Sequence, residues 1–122
     1  MPLCENVRHI YEPNPLACGQ AAIAMATGVE VEKIIELCGT EREIDLKTVK
    51  RVFESLGVKV FAERREFKTK EDLSEYAFLS LETPKCWHWS LYVKGRFYDP
   101  VYGEISETPP SNRKYFWQLK NI

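Results

Sequence analysis

The sequence predicts an α+β domain, with helices in the first half of the chain and an antiparallel sheet in the second. Apolar and amphipathic segments that end at glycine fill residues 18–57, whereas residues 77–120 are rich in aromatic and β-branched residues. Helices that precede strands favour this class over alternating βαβ units. With 122 residues and no repeat or linker composition, the chain is expected to form a single domain over residues 1–122.

Three helices are predicted in order along the chain. The first covers residues 18–27 and ends at Gly28, a residue that suits a left-handed C-cap. The second follows "VEVEKIIELCG", whose apolar residues share one face, and ends at Gly39. The third covers residues 45–56, has the clearest apolar stripe, and ends at Gly57.

Strands are predicted after the third helix. "VKVFAE" (58–63) is a predicted strand, and Thr69 with Asp72 resembles a capping box that opens a short helix through Tyr76. The stretch "ERREFKTKED" (63–72) mixes both charges and is expected to be a solvated surface segment. Antiparallel strands are predicted for "AFLSLE", "CWHWSLYVKGRFYDP" and "YFWQLK".

The composition restricts the partners that the chain is expected to bind. A net charge of −1 gives no electrostatic reason to expect nucleic acid or an anionic membrane. The longest apolar run, "AAIAMA", is far shorter than the roughly 20 residues that span a bilayer, and "MPLCENVRH" lacks the apolar region of a signal peptide. The six glycines are scattered singly, so no phosphate-binding loop is predicted. We therefore expect a cytoplasmic protein without a cofactor, in which the four cysteines are mostly free thiols and do not form a disulfide framework.

The stretch "PNPLACGQAAIAMATG" places Cys18 at the predicted start of a helix. A helix N-terminus stabilises a thiolate through its unpaired N–H groups and the helix dipole, and Pro15 suits the approach to such a start. Gly19 is predicted to leave room for another chain or a substrate beside the thiol. A cysteine taken alone is more often buried core, which is the interpretation that we favour for Cys38.

A nucleophilic cysteine needs a base, and the sequence offers His9 and His88. His9 lies in an irregular polar segment and is expected to be a surface residue. His88 lies on a predicted strand, where alternation puts it on one face with residues 90 and 92 while residues 89, 91 and 93 face the core. A histidine held on a rigid strand between Trp87 and Trp89 is a good candidate for an imidazole base.

The register of the predicted hairpin supplies a third residue. If residues 94–95 form a two-residue turn, Ser90 lies opposite Asp99, and His88 lies one diagonal step away on the same face. Diagonal neighbours have Cβ atoms roughly 7–8 Å apart, which allows a carboxylate and an imidazole to form a hydrogen bond. Asp99 is thus predicted to orient His88. A three-residue loop would turn Asp99 to the other face, and "DP" is also a common turn signal.

A metal site is an alternative use of some of the same side chains. Cys4, His9, Cys86 and His88 are residue types that bind zinc, but their spacings match no Cys-x-x-Cys knuckle. We therefore predict no metal and keep a zinc clip at these four residues as an alternative.

The ordered motifs "ACGQAAIAMATG", "HWSLYV" and "FYDP" resemble the papain-like cysteine peptidases, especially the bacteriocin-processing (double-glycine leader) peptidases. Cys18, His88 and Asp99 match the family's nucleophile, base and orienting aspartate, and the resemblance spans about residues 12–100. It implies a papain-like fold, in which a helical half carries the cysteine and packs against an antiparallel sheet that carries the histidine. The activity it implies is cleavage of a peptide bond by a Cys-His-Asp triad through a thioester acyl-enzyme.

The resemblance also implies an oxyanion hole. In the family, a glutamine shortly before the nucleophile completes it together with the N–H of the cysteine. Here "YEPNPLAC" has no glutamine, and Asn14, which carries an amide donor, is the predicted substitute, whereas an ionised Glu12 has no proton to donate. Gln20 follows the cysteine, and its side chain would have to fold back.

The leading hypothesis is therefore a cysteine peptidase that acts on a peptide or protein substrate, with a cleavage site after small residues implied by the resemblance. Gly19, Trp87 and Trp89 are expected to border the substrate cleft. Two alternatives stay open. One is an acyltransferase that uses the same triad, and the other is a non-catalytic module that holds a peptide beside the tryptophans.

Overall fold

Helices form one layer of the molecule. The structure is a computed structural model that describes residues 3–84 and 86–122. Over these residues it contains three helices: α1 (Cys18–Thr27), α2 (Val31–Cys38) and α3 (Leu46–Ser55). Gly28 and Gly39 follow α1 and α2 in left-handed conformations, with φ angles of 75° and 78° that other residues rarely adopt. The predicted helices are confirmed.

An antiparallel sheet forms the other layer. Within the described ranges its strands are β1 (Val58–Val60), β2 (Arg65–Glu66), β3 (Tyr76–Glu82), β4 (Trp87–Val93), β5 (Arg96–Asp99), β6 (Gly103–Ile105) and β7 (Arg113–Asn121). Their order in the sheet is β1-β7-β3-β4-β5-β6, and β2 pairs with β7. The last of these strands along the chain therefore lies inside the sheet, between β1 and β3. Helices first and an antiparallel sheet second confirm the predicted α+β class.

The predicted first strand is shorter than expected. β1 ends at Val60, because residues 61–64 lie opposite only residues 117–118 of β7 and the ladder is interrupted there. Pairing resumes at β2, which lies inside the segment expected to be solvated surface. Both β2 residues are nevertheless exposed, so the correction concerns their backbone pairing and not their contact with solvent.

The predicted short helix before β3 is also shorter. Thr69 and Asp72 form the predicted capping box, but it opens only a 3-10 turn over Lys70–Asp72. Leu73 is already extended, and Tyr76, expected at the end of this helix, pairs with Val93 across β3 and β4. The prediction of a helix through Tyr76 was wrong, because Tyr76 already pairs with β4 as the first residue of β3.

The sheet is buried on both faces. The helix-facing core contains alternate residues of β4, namely Trp89, Leu91 and Val93. The opposite face carries a smaller cluster that includes Leu79, Leu81, Tyr92, Phe97 and Phe116. α1 is buried at every position except Thr27 and packs on β4, so its first residue lies beside the strand that carries the candidate base. In the part of the chain that the structure describes, no helix is long and apolar enough to cross a bilayer.

Candidate active site

A tight hairpin between β4 and β5 places the candidate base. The turn at residues 94–95 has φ angles of 45° and 95°, and positive values at both positions are typical of a type I′ turn. Val93 pairs with Arg96, which is the predicted register. It brings His88 Nε2 to 2.8 Å from Asp99 Oδ2, with both side chains buried.

Asp99 is a buried carboxylate with hydrogen bonds at both oxygens. Oδ2 also accepts a hydrogen bond from Ser90 Oγ at 2.7 Å, and Oδ1 accepts from the N–H groups of Val101 and Tyr102 at 2.9 and 3.0 Å. Burial acts to raise the pKa of this carboxyl, but the hydrogen bond and charge of His88, with the other donors, hold the pKa below its ordinary value. Asp99 is therefore ionised at neutral pH.

This partner determines which nitrogen of His88 is basic. A carboxylate only accepts hydrogen bonds, so Nε2 of His88 carries the proton that it donates to Asp99. In the neutral imidazole, Nδ1 then has the lone pair. Nδ1 is buried and has no hydrogen-bond partner among the described residues. The ring is thus held in one orientation with an open basic nitrogen, as a general base requires.

Cys18 lies at the start of α1 and contacts β4. Its Sγ accepts a hydrogen bond from the N–H of Trp89 at 3.3 Å, one residue beyond His88. Burial raises the pKa of the Cys18 thiol to about 11, although the Trp89 N–H acts in the opposite direction, and the carboxyl of Glu12 raises the pKa further. The resting side chain is therefore a neutral thiol at neutral pH. Among the described residues, no hydrogen bond joins this thiol to His88.

The residues predicted to border the cleft have different surroundings. A Cβ on Gly19 would lie 2.7 Å from Ile44 Cγ1 and 2.8 Å from Trp89 Cδ1, so the missing side chain gives room to the core and not to a substrate. Trp89 is fixed further by a hydrogen bond from its Nε1 to Ile44 O at 2.9 Å. These contacts do not favour the cleft roles of Gly19 and Trp89, which stay predictions. Trp87 is 47% exposed and stacks on Tyr115, and its place in the cleft stays a prediction.

The two amides considered for the oxyanion hole are bound to a neighbouring loop. Asn14 Nδ2 donates a hydrogen bond to Glu41 O at 3.2 Å, and its Oδ1 accepts one from the N–H two residues further on. Gln20 is fully buried, and its Nε2 donates to Thr40 O and Arg42 O at 2.9 and 2.8 Å. Gln20 therefore holds α1 to the loop between α2 and α3 and does not fold back. These bonds do not favour the oxyanion role of Asn14, which stays a prediction.

Two residues that contact Asp99 were not assigned from the sequence. Ser90 was placed opposite Asp99, and its hydroxyl as a donor to the carboxylate follows from that register. His9 was expected on the surface, but it is half-buried and its Nε2 lies 2.7 Å from Asp99 O. No periodicity in the irregular segment around His9 signals this contact, because it joins residues that are 90 positions apart.

The alternative of a zinc clip has no matching cluster. Across residues 3–84 and 86–122, no three His, Cys, Asp or Glu side chains are arranged to hold a metal ion. Cys4 packs against the C-terminal end of α1, because a Cβ built on Gly28 would lie 2.7 Å from the Sγ of Cys4. His88 lies near the N-terminal end of the same helix, so α1 separates the proposed ligands.

A cavity of about 750 Å³ opens beside His88. Residues 11–16 form one wall, Thr83 and Cys86 lie before β4, and residues 100–101 close the side next to Asp99. The first wall is mainly apolar and is formed by Pro13, Pro15, Leu16 and the exposed ring of Tyr11. Glu12 contributes a carboxyl group to the same wall. The candidate base therefore borders a space large enough for several side chains of a ligand.

Comparisons with known proteins identify the fold. No protein-family model matches the sequence, and no curated protein matches it. The structure is similar to that of a double-glycine motif protease from an AMS/PCAT transporter, solved in complex with the leader peptide. The TM-score is 0.66, and the match covers 96% of this chain and 93% of that chain. The chain has a papain-like peptidase fold.

This papain-like fold was the one expected from the motifs. The two sequences are 16% identical, so the likeness to the protease is structural. In the papain-like arrangement of this chain, the helical layer carries Cys18 and the sheet carries His88 and Asp99. The two layers meet where the thiol contacts the backbone of β4.

Proposed function

We propose that the chain is a cysteine peptidase, with Cys18 as the nucleophile, His88 as the general base and Asp99 as the residue that orients His88. The open Nδ1 of His88, whose Nε2 is bound to an ionised carboxylate, lies one residue from the backbone N–H that contacts the Cys18 thiol. This arrangement supports the pairing of a nucleophile with an oriented base at the junction of the two layers.

The reaction that we propose starts from a neutral pair, because burial holds the Cys18 pKa at about 11. The proton of the thiol passes to Nδ1 of His88 while the sulfur attacks the peptide carbonyl and forms a tetrahedral intermediate. The carbon–nitrogen bond then breaks, and the leaving amine takes the proton from His88. Water, deprotonated by the same imidazole, then attacks the thioester carbonyl. The carbon–sulfur bond breaks, the acid leaves, and the proton returns from His88 to the sulfur of Cys18.

The oxyanion would be stabilised by the N–H of Cys18 itself. Ala17 precedes α1 and provides no side-chain hydrogen bond to its first turn, so the first N–H groups of the helix are not capped from the side. A second donor from Asn14 would require its amide to leave the loop to which it is bound. The loss of one oxyanion donor typically costs ~10²–10³ in rate, so we expect slow turnover.

The substrate that we propose is a peptide cleaved after small residues. The structurally similar protease was solved with a leader peptide, and the papain-like fold supports a ligand of the same general kind. The cavity beside His88, with its apolar wall, would hold the part of the peptide on one side of the cleaved bond. If an amine replaces water as the acceptor, the same triad performs acyl transfer.

A non-catalytic peptide-binding module is the second candidate. The observations in its favour are the raised pKa of Cys18 and the lack of a hydrogen bond between this thiol and His88 among the described residues. In this function the same cavity holds a peptide without cleaving it.

Site-specific alkylation tests the two candidates. Iodoacetamide is added at pH 7, and the modification rates of Cys18 and Cys38 are read from their tryptic peptides by mass spectrometry. Cys38 is a matched internal control, because both cysteines are 8% exposed and burial raises the pKa of both thiols. The peptidase function predicts that Cys18 reacts roughly 10²-fold faster than Cys38, since a general base typically contributes ~10²–10⁴.

The His88→Ala variant completes the test. Its Cys18 should react as slowly as Cys38 at pH 7, and its rate should rise about tenfold per pH unit towards pH 11, because only the thiolate attacks. Two outcomes would contradict the peptidase function. One is an equal alkylation rate for the two cysteines in the unaltered protein, and the other is a Cys18 rate that is the same with and without His88. Binding of a Gly-Gly-containing peptide without cleavage would then support the second candidate.

A further inference from the structure

The segment before α1 crosses the molecule and is held at both layers. We call residues 3–14 the N-terminal strap, since no helix or strand is assigned there. Its first part is tied near the C-terminal end of α1 by a hydrogen bond from Cys4 N to Ala26 O at 2.9 Å and by one from Tyr76 Oη to Cys4 O at 3.0 Å. Its later part is tied to the end of β5, where the chain leaves the sheet at Asp99.

His9 makes the contact with β5. Its Nε2 lies 2.7 Å from the backbone oxygen of Asp99. A carbonyl oxygen only accepts, so Nε2 of His9 must carry the donated proton, and both the neutral Nε2–H tautomer and the imidazolium can make this bond. The ring packs edge-on against Tyr11, with centroids 4.4 Å apart, which fixes its orientation.

The position of this bond matters because of the next residue. Pro100 has no N–H, so it cannot extend the hydrogen-bond ladder of β5. Asp99 pairs with Gly103 of β6, and the strap adds two hydrogen bonds at this point: His9 donates to the carbonyl of Asp99, and the N–H of Glu12 donates to the carbonyl of Pro100 at 3.0 Å. Rotation of the Asp99 backbone would break the bond to His9 and would also turn the carboxylate away from His88.

We infer that His9 is a positioning residue, which holds the backbone of Asp99 so that its carboxylate keeps the Nε2–H tautomer of His88. The inference rests on the proposed function, in which Nδ1 of His88 is the base. His9 has no direct contact with Cys18 among the interactions of the described residues, and its effect passes through Asp99.

The test compares variants of His9 with a control in the same strap. His9→Phe keeps a ring against Tyr11 but removes the donor, whereas His9→Gln restores an amide N–H at a similar reach. Tyr76→Phe removes the hydrogen bond to Cys4, which is a strap contact away from Asp99. The measurements are the Cys18 alkylation rate at pH 7 and the nitrogen-15 chemical shifts of the His88 ring, which report its tautomer.

We expect His9→Phe to slow alkylation of Cys18 about tenfold, the equivalent of one lost hydrogen bond, and to give His88 a mixture of tautomers. His9→Gln should recover most of the rate and the original His88 shifts, and Tyr76→Phe should change neither. Unchanged His88 shifts in His9→Phe, or an equal loss in Tyr76→Phe, would overturn the inference.

The two proposals fail in different ways. If Cys18 of the unaltered protein reacts no faster than Cys38, the peptidase function is lost, but the His88 shifts still decide whether His9 positions Asp99. If His9→Phe does not fold, His9→Asn replaces it, because this shorter amide does not reach the carbonyl that the longer glutamine reaches. Identical His88 shifts in His9→Asn and His9→Gln would then count against the inference.

Discussion

The two layers hold their parts of the candidate site by different interactions. On the sheet, Asp99 accepts hydrogen bonds from two side chains and two backbone N–H groups, and His88 has one orientation as a result. On the helical layer, Cys18 is held by close packing around α1, and its sulfur accepts a hydrogen bond from the backbone N–H of Trp89. The candidate base is positioned by directional hydrogen bonds, whereas the candidate nucleophile is positioned mainly by packing.

This difference explains the charge of each residue. Hydrogen bonds to a buried carboxylate favour its ionised form, so the pKa of Asp99 is lowered in spite of burial. At Cys18 the largest influence is burial, which favours the neutral thiol and outweighs the Trp89 N–H, so the pKa is raised to about 11. We therefore expect polar substitutions near Asp99 to change the reactivity of Cys18, and steric substitutions in α1 to change the free energy of unfolding.

The largest effect is expected for Asp99→Asn. The N–H groups of Val101 and Tyr102 require an oxygen at the Oδ1 position, so the new amide nitrogen would face His88. His88 Nε2 would then accept, its Nδ1 would carry the proton, and the base would be lost. We expect a roughly 10⁴-fold fall in peptide cleavage, with Cys18 alkylation at pH 7 reduced to the rate of His88→Ala.

Ser90→Ala is the matched control for this prediction. It removes one of the hydrogen bonds to Asp99 Oδ2 but leaves the bond from His88 and the tautomer unchanged. The cleavage rate should fall by about tenfold or less, in proportion to one hydrogen bond. A loss in Ser90→Ala as large as that in Asp99→Asn would show that the tautomer is not what matters.

A smaller effect is expected on the helical side, for Gly19→Ala. The new Cβ would lie 2.7 Å from Ile44 Cγ1 and 2.8 Å from Trp89 Cδ1, closer than such atoms can approach. We expect the free energy of unfolding in urea to fall by about 1–3 kcal/mol, the usual range for overpacking. An increase in stability would contradict this, since alanine is otherwise the better helix former by roughly 1 kcal/mol.

A double-mutant cycle with Ile44→Ala tests the cause. The shorter side chain provides space for the new methyl group, so the two substitutions together should destabilise the protein less than the sum of their separate effects. Additive effects would place the strain at Trp89 instead of Ile44.

The smallest effect is expected in the stability of the protein at acidic pH. The pKa of Asp99 is held below its ordinary value of 3.8 in the folded protein, so its interactions stabilise the fold above pH 3.8 and are lost as the pH falls through the lower folded value. The difference in unfolding free energy between the unaltered protein and Asp99→Asn should therefore shrink below pH 3.8. Urea unfolding at a series of pH values measures it, and a difference that grows in acid would contradict the lowered pKa.

The sequence predicted those features that depend on neighbouring residues. Gly28 and Gly39 mark the ends of their helices because a left-handed C-cap is a local requirement. The turn at residues 94–95 likewise fixes the register that joins His88 to Asp99. A local signal of this kind is sufficient to predict that His88 and Asp99 lie side by side.

The features that it missed depend on distant parts of the chain. The charged pair of residues in β2 has no strand pattern and becomes a strand because β1 covers only residues 119–121 of β7, which leaves residues 115–116 to pair with β2. His9 contacts a carbonyl 90 positions away, and the direction of the Gln20 amide is set by the carbonyls of a later loop. The space beside Gly19 was assigned to a substrate because sequence does not reveal that Ile44 fills it.

The position of β7 has a consequence for how the sheet could come apart. Among the described strands, β1 and β2 pair with β7 alone, whereas β3 pairs with both β7 and β4. Release of residues 113–121 would therefore detach β1 and β2 together in a single step. The hairpins from β3 to β6 would keep their own pairing, so local opening at β7 would leave His88 beside Asp99.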